Sequence, residues 1–300
     1  MAASYWESTQ RRYWQFSKDE LAQMREKLEE SEQSLVQMFP LPQRRHLSIY
    51  FNQQLNRLGK RLGVRQQALA TAQIYLKRFY CKVEIRRTNP YLVIATALYL
   101  AYFLTLDISR LGECEFFMIS EMHSQLIVHQ PYRTLTSLQS DFFLSQEEGN
   151  LALSIVNDHY MTDLPLLYPP HIIALTAILL ALVLRPNNSG GTAANMAAAT
   201  TTALAQVQAQ AQAQAQMPTR TSGSSGNQNA SGSEKDRQQE ARAKVQRYVA
   251  FLTESAIDIE GMVDCTQELI SFYECHEQYN DKITREQINR FVKARGLDKS

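Results

Sequence analysis

The sequence is poor in the features that usually announce chemistry. Its four cysteines, Cys81, Cys114, Cys265 and Cys275, form no Cys-x-x-Cys pair, and they fall into no metal-ligand spacing with the six histidines. A zinc site and a disulfide framework are therefore not expected, and buried or free thiols in a reducing compartment are. Glycine is scarce, and Gly59 and Gly63 stand alone, so no glycine-rich phosphate loop is present. There is no Gly-x-Ser-x-Gly and no His-Glu-x-x-His. His159 beside Asp158 and Asp163 suggests an acid/base cluster only weakly, because such residues more often satisfy a helix end. Cys275 and His276 are adjacent, which points them apart on a helix. No cofactor, metal or catalytic residue is expected.

Long apolar runs are missing too. Ile172 to Leu184 is thirteen residues, between Pro169–Pro170 and Arg185–Pro186, short of the roughly 20 that span a bilayer. The N-terminus has charge and aromatics but no apolar h-region, so no signal peptide and no membrane partner are expected. Strand-like alternation is absent at any length. The fold class expected is all-α with short connections.

Charge of either sign is present, but unevenly. The net charge of +1 hides a stretch from Arg44 to Arg87 with eleven Lys or Arg and one acid, Glu84. From Asp107 to Asp163 there are nine acids and two bases, Arg110 and Arg133. A basic surface of that size attracts nucleic acid or an acidic partner; solvated helix faces are the plainer reading.

Helical signals run through the chain. Trp6 and Trp14, eight apart, would share one helix face. Ser17 with Glu20 makes a capping box for a helix over 17–38, which Pro40 and Pro42 end. Leu47, Tyr50, Phe51, Leu55, Leu58 and Leu62 recur at three and four, with Gly63 near the end. Further helices are predicted over Gln67–Lys82, Glu113–Val128, 133–143 and 146–160, with a turn at Leu164–Pro170. Beyond lie Lys244–Leu252, Glu260–Tyr273 and Thr284–Arg295, the last capped by Thr284 with Gln287 and closed by Gly296.

Two more helices match each other. Pro90–Leu104 (PYLVIATALYLAYFL) and Pro170–Leu184 (PHIIALTAILLALVL) share proline, threonine, alanine and leucine in register at Pro90/Pro170, Thr96/Thr176, Ala97/Ala177, Leu100/Leu180, Ala101/Ala181 and Leu104/Leu184. Proline suits the first helical turn, and the apolar run behind it leaves no polar face, so both helices should be buried nearly all round. The fixed offset suggests one helical unit used twice; chance agreement of two Ala/Leu helices is the alternative. Residues 187–234 differ in kind. Their Gly/Ser/Asn portions cannot bury enough apolar surface to order themselves, and the Ala-Gln repeat has no apolar stripe, leaving a frayed helix or disorder equally open. The tract reads as an insertion inside a domain, which costs little closure entropy.

Several long blocks then resemble one family. SQLIVHQPYRTL (Ser124–Leu135), preceded by LGECEF (Leu111–Phe116), resembles the junction between the two cyclin boxes of C-type cyclins, and so does IVNDHYMTDLPLLYPPHIIALTAI (Ile155–Ile178). VRQQALATAQIYLKRFY (Val64–Tyr80), the N-terminal ASYWESTQ and TREQINRFVKARGL (Thr284–Leu297) match as well. The resemblance implies two tandem five-helix cyclin boxes with the Pro helices as third helix of each. The segments are then 1–40, an N-terminal helical segment; 41–128, the first box; 129–186 with 235–284, the second; 187–234, a disordered insertion in the second; and 285–300, a C-terminal helix. It implies a regulatory subunit that binds and activates the cyclin-dependent kinase of the Mediator kinase module and does no chemistry itself. It further implies a nuclear location, transcriptional repression and activation, and phosphorylation of the polymerase C-terminal repeats by the complex. Partner contacts would fall at Trp6, Arg78 and Phe79, with Trp6 touching the kinase. Asn157, Asp158 and Tyr273 would border a groove between boxes that meets other module subunits. No direct nucleic-acid partner is expected on this reading.

The chain also departs from the family. There the third helix of the first box runs on as Leu-Ala-Cys/Ser-Lys-x-Glu-Glu into a fourth helix. Here Ala101 is followed by Tyr102, Phe103 and Leu104 through Asp107, and the pattern resumes within the fifth helix at Ile108. Phe103 replaces a lysine that usually faces the kinase, and about one helix is missing, so apolar surface should be exposed on its neighbours. Leu153 replaces the aromatic usual before the Ile155–Asp158 block. The rival function is a DNA-binding factor of the transcription factor IIB kind, also built on two cyclin-like boxes. Arg57, Lys60, Arg61 and Arg65 favour it, and the lack of a paired Cys-x-x-Cys ribbon opposes it.

Overall fold

A computed structural model describes residues 4–102, 109–184 and 234–298. The sequence expectations for Phe103–Asp107 and for the tract 187–233 lie outside the described residues. Among the described residues there is helix and turn but no strand. The helices are α1 (Thr9–Tyr13), α2 (Lys18–Ser31), α3 (Gln33–Met38), α4 (Arg44–Arg61), α5 (Gln66–Phe79), α6 (Pro90–Tyr102), α7 (Ser109–Glu121), α8 (Tyr132–Asp141), α9 (Gln146–Asp158), α10 (Leu164–Leu167), α11 (Pro170–Val183), α12 (Glu234–Glu254), α13 (Ile259–Glu277) and α14 (Asp281–Ala294).

Local chemistry sets most of these boundaries. Ser17 and Glu20 close the expected capping box at α2. Gly63 and Gly296 take φ of 64° and 65° just past α4 and α14, the left-handed closure glycine permits. Three expectations need correction. Helix α7 ends at Glu121, not Val128, because His123 and Ser124 adopt φ of 50° and 57°; residues 125–130 then carry no helix. Leu164–Leu167 forms a helical turn with Pro165 in its first positions. Helix α14 starts at Asp281 under the side chain of Asn280, which accepts from the Lys282 and Ile283 N–H groups; Thr284 is buried inside it.

The chain divides into two compact units. The first comprises Met1–Gln130, Asn157–Pro170 and Ser271–Ser300. Its core gathers Trp14, Tyr50, Leu55, Phe79, Leu98, Met118 and Phe291. Gly59 lets α4 and α5 approach closely, since a Cβ there would sit 2.2 Å from Leu69 Cδ2. Helix α2 is tied on by Arg25, whose guanidinium donates to both oxygens of Asp163 at 2.8 and 2.7 Å. Burial alone would raise the Asp163 carboxyl, but the Arg25 hydrogen bonds and nearby Lys77 and Arg44 outweigh it and hold it at about 2. Leu21 packs beside this pair with Cys81, Leu166 and Leu167.

The second unit comprises Pro131–Val156 and His171–Ile270. Every residue of α11 from Ile172 to Leu182 is buried, as its unbroken apolar run requires. Helix α6 is less enclosed, and Tyr102 at its end is exposed. The register match is nonetheless physical. Thr96 and Thr176 are both fully buried, and each hydroxyl donates at 2.9 Å to the carbonyl four residues back, Leu92 and Ile172. The Lys244 ammonium of α12 donates to Glu148 at 3.1 Å, and Tyr248 Oη donates to the Leu175 carbonyl at 2.8 Å. These bonds seat α12 on α9 and α11.

Candidate partner-binding site

The two tryptophans do not share a helix face. Tyr5–Glu7 is a 3-10 turn, and Ser8 is extended (φ −76°, ψ 155°) and caps α1 by accepting from the Arg11 N–H. That break leaves Trp6 55% exposed while Trp14 is buried. The polypeptide beneath Trp6 is firmly held. Gln10 spans the backbone of His129 as a neighbouring strand would: its Oε1 accepts from the His129 N–H at 2.6 Å, and its Nε2 donates to the His129 carbonyl at 3.3 Å. The Tyr5 ring meets the His129 ring edge-on at 5.7 Å, and Tyr5 Oη donates to Gln15 Oε1 at 2.6 Å. Burial pushes the Tyr5 hydroxyl up to about 12, against the pull of Arg11. The Arg11 guanidinium lies 5.0 Å from the Trp6 ring centroid and donates to the Trp6 carbonyl at 3.1 Å. An exposed indole with one face on a cation, anchored on both sides, is a pre-organised contact.

Arg78 and Phe79, expected as partner contacts, are interior residues in this fold. Both are fully buried. They sit at the end of α5, where the apolar stripe turns both side chains inward. Phe79 packs edge-on against Phe117 at 5.4 Å and Tyr80 at 5.3 Å. The Arg78 guanidinium stacks 5.1 Å from the Trp14 centroid and donates to the carbonyls of Gln125 (2.6 Å) and Ile127 (3.3 Å). Burial lowers its pKa to about 10. Tyr75 Oη donates to the carbonyl between them, Leu126, at 2.8 Å. Side chains thus satisfy the non-helical backbone of 125–129 much as a sheet edge would. No spacing rule exposes this role: Gln10 of α1 meets Tyr75 and Arg78 of α5 around this backbone only in the fold.

Asn157 and Asp158 end α9, and Tyr273 lies on α13. Tyr273 Oη donates to Asp158 Oδ2 at 3.0 Å, and Gln66 Nε2 donates to Asn157 Oδ1 at 3.1 Å. Burial raises the Asp158 carboxyl, opposed by the Tyr273 hydrogen bond and the positive field of His276. Burial and Asp158 together raise the Tyr273 hydroxyl. Phe272, which is buried, and His276 of α13, with Tyr279 just beyond its end, form a chain of ring contacts at 5.7 and 6.3 Å. Asp158 and Tyr273 are therefore joined directly, with Asn157 beside them. Trp6 stands on a separate element.

His159 is buried with its ring 3.8 Å from Tyr160, and Asp163 is engaged by Arg25. Burial pushes the Cys81 thiol up to about 11. Among the described residues no group of His, Cys, Asp and Glu could hold a metal ion. Beside the break in the described chain, Tyr102, Phe116 and Phe117 are exposed, Phe116 to 77%.

The family model described as cyclin, N-terminal domain, matches residues 13–139. The chain is 60% identical to the RNA polymerase II holoenzyme cyclin-like subunit of Neurospora crassa, with all of both chains covered. It is 58% identical to the protein of that name from Gibberella moniliformis, again over all of both chains. Those alignments run over 345 and 321 positions, against 300 residues here, so both relatives carry residues that this chain lacks. Among solved structures, a chain of the CAK complex from Chaetomium thermophilum bound to ATP-gamma-S superposes with a TM-score of 0.53 at 17% identity, covering 98% of this chain and 93% of that one. A chain of the yeast TFIIK (Kin28/Ccl1/Tfb3) complex does so with a TM-score of 0.54 at 16% identity, covering 89% and 99%. These two share the fold.

Proposed function

The chain belongs to the cyclin family, among the RNA polymerase II holoenzyme cyclin-like subunits, and on that premise we propose that it binds and activates the cyclin-dependent kinase of the Mediator kinase module in the nucleus. The relatives carry the polymerase in their name, and the two superposed chains come from CAK and TFIIK assemblies. The observation that carries the reading to particular residues is the exposed, anchored Trp6. A rigid aromatic on a held segment loses little entropy on docking, which is what an interface anchor needs. In this reading Trp6 meets the kinase. Asn157, Asp158 and Tyr273 meet other module subunits and set where the complex acts in repression and activation. The domain division into two boxes with an inserted tract belongs to the same proposal.

Cyclins are regulatory subunits, so the mechanism is conformational. The bound chain holds the kinase's αC helix so that its Lys–Glu ion pair and magnesium site form, and the kinase then phosphorylates the polymerase C-terminal repeats. The family's kinase-facing lysine and the acids after it are missing at Phe103–Asp107, so activation should be weaker than with a full first box. Reconstitution tests this. Phosphorylation of a C-terminal-repeat peptide should rise when the chain joins the kinase, and rise further when the family's Lys-x-Glu-Glu continuation and fourth helix are inserted. No rise with either chain overturns the proposal. The second reading, a duplex-DNA binder, draws on the basic stretch 44–87. It requires DNA binding that weakens steeply with salt, and absence of binding at low salt removes it.

A further inference from the structure

The basic stretch Arg44–Arg87 separates into partnered and unpartnered cations. Arg44 pairs with Glu29, Arg57 with Asp281, Arg86 with Glu84 and Arg87 with Glu32. Arg45 donates to Ser271 Oγ and Lys77 to Ser48 Oγ. Arg78 is interior, and Lys82 lies 5.9 Å from the Trp14 centroid. That leaves Lys60, Arg61 and Arg65, all exposed and, among the described residues, without an ion pair. The three are not scattered. They crowd the turn between α4 and α5, around Leu62, an aliphatic side chain left 44% in solvent.

The turn is rigid. The Val64 N–H donates across it to the Gly59 carbonyl at 2.9 Å, Gly63 adopts φ 64°, and Gly59 presses on Leu69. Folding explains part of the charge: Lys60 and Arg61 sit at the C-terminal end of α4, where the helix dipole favours cations. It does not explain Arg65. Arg65 occupies the N-cap of α5 and makes no capping hydrogen bond, and a cation at a helix N-terminus is unfavourable. No acid lies on α4 or α5 to offset it.

We infer that this turn is a docking site for an acidic peptide segment that carries an apolar side chain among its carboxylates. The cations Lys60, Arg61 and Arg65 meet the carboxylates, and Leu62 receives the apolar group. A phosphate backbone would satisfy the cations but leave Leu62 unused, so charge and shape together favour a peptide. The residues differ from those proposed above for the kinase and the other subunits, but Gln66, next to Arg65, donates to Asn157 at 3.1 Å, so the peptide site borders the surface proposed for the other subunits.

Fluorescence anisotropy of the full chain tests this with three labelled probes: an Asp/Glu-rich peptide of about fifteen residues containing leucines, the same peptide with serine for leucine, and duplex DNA of about equal charge. The leucine-bearing peptide should bind. Combined Lys60→Glu, Arg61→Glu and Arg65→Glu should weaken it by about tenfold or more, and Leu62→Ser by about threefold to tenfold, with little effect of Leu62→Ser on the serine peptide. Arg65→Gln should weaken the peptide and raise Tm, a combination that a purely structural residue would not give. Should the triple variant lose its helical circular dichroism, Arg65→Gln and Leu62→Ser decide alone. Absence of peptide binding, or indifference to these variants, overturns the inference. DNA binding tighter than the peptide and unmoved by Leu62→Ser overturns it as well, and assigns the turn to phosphate.

Discussion

Arg78→Ala is expected to destabilise the first unit by about 2–4 kcal/mol, read as a lower urea midpoint. It removes the stack on Trp14 and strips the Gln125 and Ile127 carbonyls of their donors. Arg78→Lys should recover little, because an ammonium reproduces neither the stack nor the two-pronged donation. Asp163 gives a pH signature. Its folded pKa lies near 2, below the unfolded value of about 3.9. The stabilisation is thus present above about pH 4 and fades as pH falls toward 2. The Asp163 side chain keeps 32% of its surface in water, and that screening leaves a contribution of about 1 kcal/mol. Chemical denaturation across pH 2–7 should show this loss in the parent chain and not in Asp163→Asn. Residue roles of this sort were the least legible in the sequence. Spacing put Trp6 on one helix face with Trp14, and the family resemblance named Arg78 as a partner contact. Its burial follows from the α5 stripe turning inward at Phe79, which charge counting cannot detect.

Helices were largely legible, because their period, prolines and caps are local signals. The Ser17–Glu20 box and the closures at Gly63 and Gly296 came directly from residue chemistry. The misreadings have local causes as well. Ser8 and Asn280, the real caps of α1 and α14, lost to a tryptophan spacing and to Thr284, which resembles a cap but lies within the helix. At this scale Gly59→Ala provides a test. A Cβ placed 2.2 Å from Leu69 Cδ2 must push α4 from α5, and overpacking of that kind costs about 1–3 kcal/mol, partly offset by alanine's better helix propensity. Thermal unfolding should give a net loss of about 1 kcal/mol. Thr176→Val removes only a hydroxyl bonded within its own helix and should stay within about 1 kcal/mol of the parent.

At the scale of the whole molecule, an all-helical chain was plain from the missing alternation, and the cyclin family from blocks spread along nearly the whole length. The tract 187–233 should be dispensable for folding: α11 before it is buried, and α12 after it is fixed through Lys244 and Tyr248. Replacing the tract with a short Gly/Ser linker should shift Tm by no more than about 3 °C, measured by calorimetry. What the sequence could not convey is which parts of a basic or aromatic stretch remain free once the fold has used the rest. The measurement that bears most directly on the proposed function is the affinity of the Mediator cyclin-dependent kinase for the full chain and for Trp6→Ala, by calorimetry. The expected result is binding by the parent chain and a loss of about tenfold to a hundredfold on removing the indole, with circular dichroism unchanged. Equal affinity of the two, or no binding by the folded parent chain, would contradict it.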